Sequence, residues 1–101
     1  MKVHDLKIKP LYFQAILDGR KSFEIRYNDR NYEEGDILIL RENTSGRKDG
    51  YTGRSMRCIV NFVLSGCLGL DKGYVVMSID VCSWQTSEFS ERLESFPNSL
   101  K

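Results

Sequence analysis

The chain has little of what metal and covalent chemistry needs. It holds one histidine, His4, and three widely spaced cysteines, Cys58, Cys67 and Cys82, with no CxxC pair. That excludes an ordinary Cys/His zinc site, and the odd number of cysteines argues against a disulfide framework. Reduced thiols are the expectation. Cys58 stands inside an apolar run and reads as a small core hydrophobe rather than a nucleophile. No hydrophobic run is long enough to cross a bilayer, and the first residues lack the apolar core of a signal peptide, so a cytoplasmic protein without a membrane partner is expected. There is little excess charge of either sign. A formal net charge of +1 argues against a uniformly basic coat for nucleic acid and leaves room for a local basic patch.

What is present suits one small domain. At 101 residues, 41% hydrophobic and 29% charged, the chain can bury a core without staples. Val3 to Ile8 alternates as a strand. Pro10 opens a helix carrying Tyr12, Phe13, Ile16 and Leu17 at helical spacing, and Gly19 suits its C-terminal cap. Lys21 to Tyr27 alternates again, which predicts Phe23 and Ile25 in the core with Glu24 and Arg26 on a polar face. Asn28 to Gly35 reads as a loop and Asp36 to Arg41 as a central strand with apolar residues on both faces. Glu42 to Gly50 reads as a flexible polar loop.

Tyr51 to Leu64 forms one long strand. Met56, Cys58, Val60, Phe62 and Leu64 share a face in strict alternation, although a strand of this length is expected to bend or bulge. Ser65 to Gly73 is a glycine-rich loop, and Tyr74 to Val81 a last strong strand. From there the composition turns polar. The domain is placed at 1–84 and a C-terminal extension at 85–101, either a loose tail or a short helix near 87–93 docked by Trp84, Phe89, Leu93 and Phe96. Strand, helix, then several strands predicts an α+β fold, a small mixed barrel with one or two short flanking helices.

The stretch Gly19-Arg20-Lys21-Ser22-Phe23-Glu24-Ile25-Arg26 joins helix to strand. It gathers a lysine, a carboxylate and a guanidinium at one end of the fold. Lys21 and Arg26 can hold a phosphate, and Glu24 can accept from a base amino group. From spacing alone the favoured reading of Glu24 and Arg26 is an ordinary exposed cross-strand pair of little consequence. His4 reads as an edge residue. Arg41, Arg47, Lys48, Arg54 and Arg57 make 41–57 locally positive, either a track for a nucleic-acid backbone or a solvated loop. Tyr27 and Tyr51 flank loops where they can stack on bases or pack at the core edge. Asn28-Asp29-Arg30 reads as a turn.

The run resembles the ASCH motif GxKxxExR at each fixed position: Gly19, Lys21, Glu24 and Arg26. Gly35-Asp36-Ile37-Leu38 is similar to the glycine–aspartate and apolar strand that follow it in ASCH and other PUA-like domains. Phe23 to Arg26, Asn28-Asp29-Arg30 and Tyr51-Thr52-Gly53-Arg54 look like a small bacterial and phage branch of that superfamily, and the likeness covers about residues 3 to 82. The resemblance implies a PUA-like pseudo-barrel with a cleft at the motif. It also implies an RNA or modified-nucleotide ligand, for which Lys21, Glu24, Arg26, Arg30, Tyr51 and Arg54 are the candidate contacts, with no metal and no cofactor. Some ASCH proteins cleave RNA, and others hydrolyse the acetyl amide of N4-acetylcytidine using a lysine, a threonine and a distant glutamate. Lys21 matches that lysine. Glu24 stands where the threonine would, and the only carboxylate of the Ser65–Gly73 loop is Asp71. A nucleotide-binding module is therefore expected first, a hydrolase using Lys21 with Glu24 second, and a protein-interaction domain third.

Overall fold

In the computed structural model, which describes residues 1–86, five strands form one curled sheet with a single α-helix. The strands are β1 (Val3–Ile8), β2 (Phe23–Tyr27), β3 (Ile37–Asn43), β4 (Tyr51–Ser65) and β5 (Tyr74–Gln85), and the helix is α1 (Pro10–Leu17). The spatial order is β1-β3-β4-β5-β2. β1 runs parallel to β3, so the chain must cross over between them, and α1 and β2 fill that crossover. The other pairings are antiparallel. Among the described residues no helix is long and apolar enough to cross a membrane.

β1 alternates cleanly, with His4, Leu6 and Ile8 buried and the residues between them exposed. α1 starts at Pro10, whose absent N–H would have had no intrahelical partner, and buries Phe13, Ala15 and Ile16. It ends in a Schellman motif. Gly19, at φ +79, donates to the Ile16 carbonyl at 3.0 Å, and Arg20 donates to the Ala15 carbonyl at 2.9 Å. A Cβ at Gly19 would meet nothing within 4 Å, so the glycine is there for its dihedral and not for space. The motif turns the chain sharply and delivers Lys21 at the mouth of β2.

Leu38, Leu40, Met56, Cys58, Val60, Val75 and Met77, from the three central strands, are almost wholly buried and form the core with Phe13 and Ile16. The burial of Cys58 agrees with its expected packing role and pushes its thiol up to about 12, far from a reactive thiolate.

Three strand expectations need correction. β2 faces the opposite way: Glu24 is buried, while Phe23 and Ile25 are exposed. In β4, Asn61 is an extra residue between the pairs Val60–Ile79 and Phe62–Ser78. That bulge reverses the alternation, so Val63 packs on the core and Phe62 and Leu64 face out. β5 also continues past Val81. A second shift between the pairs Arg57–Ser83 and Cys58–Val81 makes Cys82 the extra residue, and the strand runs on through Trp84, paired with Met56, to Gln85. The expected helix near 87–93 lies outside the described residues. The loop after β3, read as flexible, is tied to buried Asn43: its amide oxygen accepts from the Ser45 N–H at 2.9 Å and its amide nitrogen donates to the Arg47 carbonyl at 2.8 Å.

The turn into β3 is held by Asp36, which is 1% exposed. Its carboxylate accepts from the Lys2 backbone N–H at 3.0 Å, the Glu33 backbone N–H at 2.9 Å and the His4 ring at 2.8 Å. Tyr32 covers the pair, its ring 4.7 Å from that of His4. His4, expected at an edge, is thus interior. Burial alone would raise the Asp36 pKa, but the His4 bond and the two backbone donors outweigh it and hold the carboxyl at about 2, below its usual 3.8. A depressed carboxylate adds stability that is complete above its unfolded pKa and is lost as pH falls through the folded value. Asp36→Asn should therefore cost about 2 kcal/mol at neutral pH. Urea unfolding measured between pH 5 and pH 2 should show wild-type stability falling toward that of the variant as Asp36 protonates.

Candidate functional site: a basic cavity at the open seam

The sheet curls until its two edges, β1 and β2, lie side by side. Among the described residues no backbone ladder joins them. In a strand, alternate carbonyls point to opposite edges. Lys2 gives its carbonyl to the β3 side, accepting from Ile37 at 2.8 Å, so the carbonyls of Asp5 and Lys7 point into the seam. Arginines from the β2 side satisfy both. Arg26 Nη2 donates to the Lys7 carbonyl at 2.6 Å, and Arg30 Nη1 reaches the Asp5 carbonyl at 3.3 Å.

Glu24 aims Arg26. It is 4% exposed, and each carboxylate oxygen takes one cation: Oε1 accepts from Lys21 Nζ at 2.6 Å and Oε2 from Arg26 Nε at 2.8 Å. Lys21 also donates to the Phe23 carbonyl at 2.6 Å, and its ammonium lies 5.3 Å from the Tyr12 ring centroid and 4.9 Å from that of Phe23. Both the carbonyl and the rings favour the cation's position. The motif is thus one connected device: Gly19 ends the helix, Lys21 and Arg26 neutralise Glu24, and Arg26 closes the seam. The expected triad does come together, but with Glu24 beneath its two cations and not offered on an open face.

A cavity of about 700 Å³ opens between the end of β1, α1 and β2. Its wall carries Lys7, Lys9, Arg20, Lys21 and Arg26 against one carboxylate, Glu24. The remainder is mainly apolar, including Leu11, Tyr12, Phe23 and Ile25, each substantially exposed. Of the other residues expected from the sequence, Arg30 lies along the seam and is not among the cavity's lining. Tyr51 and Arg54 lie elsewhere, in a separate depression with Asp5 and Arg41. Arg54 is a clamp there. Its Nε and Nη2 each lie 2.9 Å from a different oxygen of buried Glu42, and its guanidinium stacks 4.6 Å from the Phe13 ring. The Arg54 bond and that of Thr52 hold Glu42 below its usual range despite burial.

Sequence reasoning missed Lys7, Lys9, Tyr12 and the exposure of Phe23. Lys7 and Lys9 are far from the motif in the chain, and only the curl that sets β1 beside β2 makes them its neighbours.

A family described as a domain of unknown function, DUF3850, matches residues 3–79. The chain belongs to this family. The DUF3850 match takes in β1, the whole motif and the seam, and ends within β5. The chain is also 42% identical over 62 residues to a protein of Escherichia phage P2 described as an uncharacterised 12.9 kDa protein in the GpA 3′ region. The alignment covers 61% of this DUF3850 chain and 54% of the phage protein, so the chain spans about half the length of that relative.

Because Glu24 is buried under two cations, Glu24→Ala should cost about 3 kcal/mol, as breaking a buried charge cluster generally does. Arg26→Lys keeps the charge but cannot reach Glu24 and the Lys7 carbonyl together. Its expected signature is faster amide hydrogen exchange in β1 and β2 with the β3–β4 ladder protected as before.

Proposed function

We propose that the chain is a binding module for RNA or a nucleotide, an ASCH-type member of the PUA-like superfamily whose ligand site is the cavity at the seam. The observation that carries this reading is the composition of that cavity: five cations facing one covered carboxylate, with exposed aromatic surface from Tyr12 and Phe23 beside them. A phosphate is attracted by the first feature and a base by the second. A volume of about 700 Å³ lies within the usual range for small-molecule sites. The fit of Gly19, Lys21, Glu24 and Arg26 to GxKxxExR supports the family reading, since each of the four has a distinct task in building the wall.

The roles within the site differ from a simple phosphate clamp. Lys21 and Arg26 already hold Glu24 and two backbone carbonyls, so they contribute field and a few remaining N–H groups. Lys7 and Lys9, both exposed at the rim, are better disposed to take phosphate, while Arg20, also exposed there, already donates to Asp18 at 3.0 Å. A hydrolase using Lys21 as base is the weaker reading. The Lys21 nitrogen is occupied as a donor to a carboxylate and a carbonyl, whereas a base must turn a lone pair to its substrate.

Titration of the purified chain with short single-stranded RNAs at low salt should shift backbone amide resonances of Lys7–Tyr12 and Arg20–Arg26. Lys7→Ala with Lys9→Ala should weaken binding and lower the slope of log affinity against log salt by about 0.7 for each phosphate no longer neutralised. Arg57→Ala, on β4 away from the cavity, should do neither. Absence of shifts in these segments at low salt would remove the proposal.

A further inference from the structure

We infer that the outer face of β2, β5 and β4 is a self-association surface, on which a second copy of this chain stacks face to face in a two-fold dimer. The inference stands whatever the cavity binds.

The face is built by two departures from simple hydrophobic alternation. Glu24 is turned inward, so Phe23, Ile25 and Tyr27 point out. The bulge at Asn61 turns Phe62 and Leu64 out as well. The strand register sets these residues in rows, since side chains directly opposite on neighbouring strands share a face. Phe23 and Phe62 flank Ser78, Ile25 and Leu64 flank Val76, and Tyr27 stands opposite Tyr74. The helix packs on the other side of the sheet, with Phe13 and Ile16 in the core. Beside half-buried Val76, the six large side chains of the face are each between 39 and 57% exposed.

Size and charge choose the occupant. A large side chain carries about 200 Å² of surface, so six at roughly half exposure leave about 550 Å² of open apolar area. That is near the upper end of the largest patches on single-chain proteins. A stable interface takes about 800 Å² from each partner, and this face supplies most of it. None of the eight positions in the rows is charged, so the face can meet its own image without like-charge repulsion. An isologous contact requires that self-complementarity. A nucleic-acid strand laid here would find rings but no cation among these positions for its phosphates. The tyrosines are also set in advance. Their rings meet edge to face at 5.4 Å, and a Cβ on Gly73 would lie 2.7 Å from the Tyr27 ring, so the glycine lets that ring lie against the turn. Anchors already fixed in place lose little freedom on binding.

Sedimentation of the full chain from micromolar to millimolar concentration should show a reversible monomer–dimer equilibrium. Leu64→Glu, checked for folding by its amide spectrum, puts a like charge from each copy into the contact and should weaken the dimer by about tenfold or more. A mixture of isotope-labelled and unlabelled chains reads the same surface without any substitution: ring protons of Phe62 and Tyr74 should show contacts between chains. A chain that stays monomeric to millimolar concentration overturns the inference, including one whose face is covered by its own residues 87–101 or taken by RNA. A dimer that survives Leu64→Glu unchanged, or whose contacts between chains lie elsewhere, overturns it as well.

Discussion

One buried carboxylate organises this end of the molecule. Glu24 has lost its water, and its cost of burial is offset only because Lys21 and Arg26 each place a cation on a separate oxygen. Those two contacts reach in different directions along the chain. Lys21 is tied to the helix end through the turn at Gly19, and Arg26 is tied to β1 through the Lys7 carbonyl. A sheet that curls this far brings two unpaired edges together, and the usual remedies are closure by a ladder or cover by another element. Here side chains close it. The cavity exists because the remedy is partial: arginines bridge the seam, and the space beside α1 stays open.

Buried carboxylates are handled in the same way elsewhere. Asp36 gathers two backbone N–H groups and the His4 ring at the entry to β3, and Glu42 gathers Arg54 and Thr52 at its exit. Each is a buried carboxylate fully supplied with donors, which is the condition for burying one at all. These two clamps set the ends of the strand that β1 pairs with, so they indirectly fix where Lys7 and Lys9 meet the motif. Arg54 is positively charged and beside a loop, and its Nε and Nη2 are engaged in this work.

The inversion of β2 shows where pattern reading runs out. Phe23-Glu24-Ile25-Arg26-Tyr27 alternates perfectly, but alternation says only that two faces differ, not which one is inside. Hydrophobicity favours Phe23 and Ile25 inward. The fold chooses the reverse, because the inner position of Glu24 is met by two cations while the outer residues find apolar neighbours: Ile25 is paired with Val76, and Val76 with Leu64. The outward turn of Phe62 and Leu64 depends in turn on the bulge at Asn61, a single unpaired residue that no local composition announces. A one-residue change of register moves every later side chain to the other face.

The local events can be read from the chain: Pro10 starting a helix, Gly19 ending it in a left-handed turn, the positions of the strands apart from the end of β5, the burial of Cys58 and the presence of a lysine–glutamate–arginine run directly after the helix. These follow from dihedral preference and short-range periodicity, which are properties of neighbouring residues. Tertiary structure alone decided which face of β2 is buried, that Arg26 serves a carbonyl nineteen residues before it, that Arg54 belongs to Glu42, and that Lys7 and Lys9 stand at the same cavity as Lys21. Each of these depends on the curl that sets β1 beside β2. That curl is a sum of twist and bulges over five strands, and no single stretch of the chain encodes it.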